Sequence, residues 1–136
     1  MTNAVRFTIP GPPAAKGRPR ATTIGGHARM YTPAKTMSYE SLVAWTAKQA
    51  MGPSAPILGP LSVFIGAVWS VPASWSKKRS EAAIYRAAKP DVDNVAKIVA
   101  DACNGIVWGD DAQIVELRVS KRYGAVPGVT VEVAEL

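Results

Sequence analysis

Soft metal ligands and cross-linking residues are almost missing from this chain, which has one cysteine, Cys103, and one histidine, His27. A lone cysteine excludes an intrachain disulfide and a thiolate metal cluster, and it makes the reducing cytosol the expected setting. Long apolar runs are missing too. LGPLSVFIGAVW is broken by glycine and falls short of the roughly 20 residues that a membrane helix needs, so no membrane partner is expected. The start, MTNAVRFTIPGPP, lacks the apolar stretch behind a basic end that marks a secretory leader. Charged residues make up 19% against 48% hydrophobic ones, a balance that excludes a disordered polyelectrolyte.

What is present suits one ordinary domain spanning residues 1–136. Sixteen Lys and Arg against ten Asp and Glu give a formal net charge of +6 and a pI near 9.7, a field that attracts phosphates.

Apolar periodicity, punctuated by proline and glycine, sets the element order. VRFTI and its flanks, residues 4–9, alternate apolar and polar and stop at PGPP, as a strand does. Residues 10–33 hold proline, glycine and basic residues with little periodicity and are expected to form a long, mobile basic loop. Met37, Leu42, Trp45, Ala47 and Met51 recur at near-helical spacing, which predicts a helix over 35–51, ended by Gly52 and Pro53. LSVFIGAVWSV, residues 61–71, reads as a largely buried strand. Ser74 or Ser76 can cap a short helix running to Arg86, and Asp91 or Asp93 a helix running to about Cys103, closed by Asn104 and Gly105. A strand from about Ala112 to Tyr123, the GAVPG turn and VTVEVAE are expected to pair as an antiparallel hairpin. The whole predicts an α+β fold, a mixed sheet of about four strands with helices packed on it.

Against the basic background, Asp91, Asp93, Asp110 and Asp111 crowd around Lys97 in KPDVDNVAKIVADACNGIVWGDDAQ. Carboxylates brought together either raise one another's pKa or take up a cation. With no histidine or cysteine nearby to compete, a hard ion is implied, Mg²⁺ or Mn²⁺. On the helix that starts near Asp93, Val92, Val95, Ile98, Val99 and Ala102 form the face expected to pack on the sheet. Asp93, Lys97 and Asp101 stand four apart on another face, and Asp91 can reach the same rim. Asp110 and Asp111, at the head of a strand, can meet them. Three converging carboxylates would hold one or two ions that activate water against a phosphodiester, with the lysine balancing charge on the phosphate oxygens.

The candidate DNA contacts are Lys16, Arg18, Arg20 and Arg29 near the N-terminus, Lys77, Lys78 and Arg79 at the start of a helix, and Arg118 and Arg122 on one face of a strand, with Lys121 on the other. Trp45 and Trp69 are expected in the core; Trp75 and Trp108 flank turns and could stack on an opened base, but core or rim packing is the expectation for all four. His27 and Tyr31 stay outside the catalytic set, and Cys103 is expected to be a small buried residue.

KPDVDN followed by Lys97 and then NGIVWGDDAQIVEL resembles the signature of RusA-type endodeoxyribonucleases, the Holliday junction resolvases of bacteria and their prophages. PPAAKGRPR, HARMYTP and VPASWSKKR extend the resemblance over nearly the whole chain, toward the phage-borne members. It implies a Mg²⁺-dependent homodimer, working in a bacterial or phage-infected cell, that cuts two opposed strands of a four-way DNA junction. The family's catalytic carboxylates fall on Asp91, Asp93 and Asp111 and its lysine on Lys97, with Asp110 an acidic neighbour at the metal. Two rival readings use the same residues: a non-catalytic basic DNA-binding module, whose aspartates only cap elements, and a less selective nuclease acting on forks and flaps.

Overall fold

A computed structural model describes residues 3–14, 20–24, 27–31 and 34–136, with backbone alone for those between 20 and 37. In chain order the elements are β1 (Ala4–Pro10), β2 (Arg20–Ile24), β3 (His27–Tyr31), α1 (Ala34–Met51), β4 (Leu61–Trp69), α2 (Lys77–Ala82), α3 (Val92–Cys103), β5 (Ile114–Tyr123) and β6 (Gly128–Glu135), with a single 3₁₀ turn at Asp111–Gln113. Four strands form one mixed sheet in the order β1-β6-β4-β5, and β2 pairs with β3 in a separate hairpin.

β4 alternates strictly: Leu61, Val63, Ile65, Ala67 and Trp69 are buried beneath the helices, while the residues between them face the other side and are only half-buried. Phe7 and Ile9 of β1 and Val129, Val131 and Val133 of β6 point the same way. α1 and α3 cover that face. α3 brings Val95, Ile98 and Val99 to it, each contributing roughly 1.5–3 kcal/mol by leaving water. The opposite face carries polar cross-strand pairs, Arg6 with Glu132 at 3.2 Å and Thr8 with Thr130 at 3.3 Å.

The α+β architecture is as the sequence predicts, and α1 and α3 begin and end within one residue of expectation. Gly52 and Gly105, at φ +55° and +78°, supply the left-handed turns that stop these two helices. Five local readings are corrected. Residues 10–33 are not one loop, because β2 and β3 occupy 20–24 and 27–31. The last two strands do not form a hairpin. β5 runs parallel to β4, β6 runs antiparallel to both β4 and β1, and GAVPG passes over the end of β4, whose apolar length takes a neighbour on each side. α2 stops at Ala82, and Tyr85 bridges instead to Arg122 on β5. Val92 is 47% exposed, since the first turn of α3 overhangs β5 near Leu117 and Val119, and Ala96 is buried instead. Trp45 is 63% exposed on the outer face of α1 instead of lying in the core, whereas Trp108 is wholly buried, in line with the packing expected of it. Cys103 is buried as expected, and burial pushes its thiol up to about 12.

Candidate active site

The first acidic segment is the entry to α3. Asp91 occupies the N-cap position with extended backbone, and its carbonyl accepts from the amides of Asn94 and Val95 at 3.1 and 3.2 Å. Its carboxylate makes no capping bond. Among the described residues it reaches Lys89 at 3.9 Å, an exposed pair that holds it weakly. Asp93, in the first turn, is exposed, as is Lys97 one turn on. The carboxylates at the start of α3 are therefore not consumed in capping it.

The second segment is the turn before β5, where two adjacent aspartates do different work. Asp110 is spent on the backbone: its Oδ2 accepts from the Ala112 amide at 3.1 Å, and its own amide donates to Gln113 Oε1 at 2.9 Å, completing a capping box. The Gln113 side-chain amide then donates to the carbonyls of Ile57 and Gly59 at 2.8 and 3.0 Å, tying the turn to the chain ahead of β4. Behind it, buried Trp108 donates from Nε1 to Asn104 Oδ1 at 2.9 Å, which fixes the path from the end of α3. With Asp110 committed, Asp111 is the carboxylate that turns inward.

Asp93, Lys97 and Asp111 line one cavity of about 430 Å³, floored by Val63 and Ile65 of β4 and walled by Ala96, Ala100, Trp108, Val115 and Leu117. Asp91 and Asp110 are not part of its lining. The expected convergence of three carboxylates is thus reduced to two and a lysine, and among the described residues no group of three Asp, Glu, His or Cys side chains stands close enough to hold a metal. Two suffice for one class of ion. Mg²⁺ keeps several waters and is held by one or two carboxylates plus the phosphates of its substrate, so an all-oxygen pair in an open cavity fits it, and Mn²⁺ too, where zinc would lack ligands.

Two cations that the sequence reading did not assign to the site stand behind the first segment. Lys121 Nζ donates to the carbonyls of Ala88 and Pro90 at 2.7 and 2.6 Å. Arg86 forks onto the Lys89 carbonyl through Nε and Nη2 at 3.1 and 2.7 Å, with its guanidinium 4.8 Å from the Trp69 ring centre and 5.7 Å from that of Tyr123. The sequence offered one faint signal, the alternation of β5, which sets Lys121 on the face opposite Arg118 and Arg122.

The candidate DNA contacts divide. Lys16 and Arg18 lie outside the described residues, and Arg20 and Arg29 are placed by backbone alone, in β2 and β3. Lys77, Lys78 and Arg79 are exposed on α2; Lys77 stands 4.0 Å from Glu81, and Arg79 stacks on Trp75 at 3.8 Å from its ring centre. Trp75 is half-buried between Arg79 and Tyr123. Arg118 lies over Phe64 at 5.7 Å and Arg122 over Tyr85 at 5.0 Å, both exposed. Among the described side chains, none of Lys77, Lys78, Arg79, Arg118 and Arg122 lines the acidic cavity.

Residues 10–134 match the family described as endodeoxyribonuclease RusA. The chain is also similar to the uncharacterized protein YqaN of Bacillus subtilis (strain 168), 38% identical over 140 residues and 98% of each protein. RusA-type proteins are nucleases of the Holliday junction resolvase type that act on branched DNA and generally depend on a divalent metal. With the match running from the last residue of β1 nearly to the end of β6 and taking in both acidic segments, the chain belongs to the RusA endodeoxyribonuclease family.

Proposed function

We propose that this endonuclease is Mg²⁺-dependent, works as a homodimer and resolves four-way DNA junctions by paired hydrolysis of phosphodiesters. The observation that supports it most is the shared cavity: Asp93 from α3 and Asp111 from the turn before β5 open into the same space beside Lys97, while the neighbouring Asp110 is bound to backbone. Asp93 and Asp111 would hold the ion, with Asp91 on the adjoining rim available to its waters. When bound, the metal supplies a more acidic water and a positive charge against the scissile phosphate. Lys97 places an ammonium where charge builds on the phosphate oxygens. The apolar floor, Val63 and Ile65 with buried Trp108, keeps bulk water from one side and strengthens those charges. Exposed Lys77, Lys78, Arg79, Arg118 and Arg122, together with Lys16, Arg18, Arg20 and Arg29, bind the phosphate backbone and give the complex its salt sensitivity.

The test is cleavage of a synthetic four-way junction with and without Mg²⁺, by wild type and Asp93→Asn. Symmetric paired nicks that need the metal and vanish in the variant, with junction binding retained, are expected. Salt-sensitive binding with no cleavage under any divalent ion would leave a binding module only, and full activity of Asp93→Asn would remove the site. Equal rates on forks and flaps would keep the chemistry and remove the junction selectivity. Light scattering of the protein on DNA tests the dimer, which a strict monomer making paired cuts would refute.

A further inference from the structure

The segment that delivers Asp91 and Asp93 is fastened in an unusual way. The carbonyls of Ala88, Lys89 and Pro90 are consecutive, and each accepts from a cation: Lys121 takes the first and third at 2.7 and 2.6 Å, and Arg86 forks onto the second at 3.1 and 2.7 Å. In an exposed stretch water can satisfy carbonyls without help, so hydration alone does not account for turning two cations inward when the other described basic side chains stand exposed. Arg86 is further held by the rings of Trp69 and Tyr123, and the backbone on either side is pinned to β5, with Arg86 N donating to Lys121 O at 3.0 Å and Tyr123 N to Ile84 O at 2.9 Å. The bonds are short and charge-assisted, roughly twice as strong as neutral ones.

We infer that Lys121 and Arg86 are positioning residues, which set the entry of α3 and with it the placing of Asp91 and Asp93 at the acidic cavity. The inference rests on the nuclease reading of that cavity. Neither cation lines it, so neither touches the reacting atoms. The chain leaves the last clamped carbonyl, that of Pro90, directly into Asp91, whose own carbonyl starts the helix. A shift of the clamp therefore reaches Asp91 across one residue and Asp93 across three. The rest of α3 is anchored independently by Val95, Ile98 and Val99 in the core, so loss of the clamp displaces the first turn and leaves the fold standing.

The experiment compares wild type, Lys121→Met, Lys121→Arg and Arg86→Met. It measures junction cleavage under saturating DNA, the Mg²⁺ concentration for half-maximal rate, junction Kd, thermal midpoint, and Mn²⁺ uptake without DNA by calorimetry. A misplacement on the order of 1 Å costs about a hundredfold in rate. Lys121→Met and Arg86→Met are expected to lose about ten- to a hundredfold in kcat and to need several-fold more Mg²⁺ and Mn²⁺. Their junction Kd should stay within about threefold and the protein should remain folded at the assay temperature. Lys121→Arg, which keeps a cation for the two carbonyls, restores most of the rate and of the metal affinity. Unchanged kcat and metal dependence in both Met variants overturns the inference, as does a rate loss that follows Kd, which would make these residues DNA contacts. A loss that follows the folded fraction reduces them to stabilising residues and also overturns it. If wild type takes up Mn²⁺ without cutting DNA, the nuclease reading fails while a weakened Mn²⁺ affinity in the Met variants still upholds the positioning. Wild type that neither cuts nor takes up Mn²⁺ sinks both.

Discussion

The two segments that feed the acidic cavity are secured by opposite means. The turn carrying Asp111 is held by side chains of its own, the Asp110 carboxylate on the Ala112 amide and neutral Gln113 on the Asp110 amide and on the distant carbonyls of Ile57 and Gly59, backed by Trp108 on Asn104. The approach to Asp93 has no capping side chain, and cations from Arg86 and from Lys121, some thirty residues downstream, hold its carbonyls instead. The difference teaches how a carboxylate is kept available. In the turn, one aspartate is sacrificed to the backbone so that its neighbour stays free. At the helix, the backbone takes its bonds from elsewhere, so both Asp91 and Asp93 keep their oxygens.

The sharpest way to break this contrast is to exchange the duties of the paired aspartates. Asp111→Asn is expected to lower cleavage on the order of a hundred- to a thousandfold, in the range set by removing one group that stabilises charge in a transition state. Asp110→Asn retains an oxygen for the Ala112 amide and should stay within a few-fold of wild type, both read from single-turnover cleavage of a labelled junction. Next comes the neutral anchor. Gln113→Ala strips three bonds from the turn and should cost about 1–3 kcal/mol in urea unfolding, together with part of the activity. Asn104→Ala removes the exposed acceptor of the buried Trp108 N–H without emptying the core, so a loss of about 1 kcal/mol by the same measurement is expected. The smallest effect belongs to the exposed ion pair at the helix entry. Lys89→Ala leaves the Lys89 backbone carbonyl in the clamp and should change the unfolding free energy in urea by less than about 0.5 kcal/mol, because screened surface pairs contribute little.

The same contrast separates what could be read in the residues from what could not. The extents of α1 and α3 followed from apolar spacing and from Gly52 and Gly105, and the Ser76 cap of α2 from its hydroxyl, which accepts from the Arg79 amide at 3.2 Å. These are local signals. Asp110 three residues before Gln113 has the spacing of a capping box, so the committed aspartate was within reach of the sequence, although the resemblance alone had favoured Asp111. Pairings between distant residues left no such trace. The parallel partnership of β4 with β5 spans more than fifty residues, and GAVPG looks the same whether it closes a hairpin or crosses over a strand. Lys121 gave no hint of its carbonyl partners, because nothing in an alternating strand distinguishes a lysine in water from one on backbone. Trp45 was misplaced for a related reason: apolar spacing on α1 is consistent with more than one inward face.

One strand carries both fixtures of the cavity. β5 begins after the turn that presents Asp111 and carries near its far end the lysine that grips the approach to Asp93, so it works as a gauge between two carboxylates arriving from separate parts of the chain. Its length is then under a tighter constraint than packing imposes. Adding or deleting one residue between Ile114 and Lys121 would slide one jaw against the other by roughly 3.3 Å, more than the reach of a metal–oxygen bond. The same step would turn the following side chains of the strand to its other face, so Lys121 would lose its carbonyls along with its distance from Asp111.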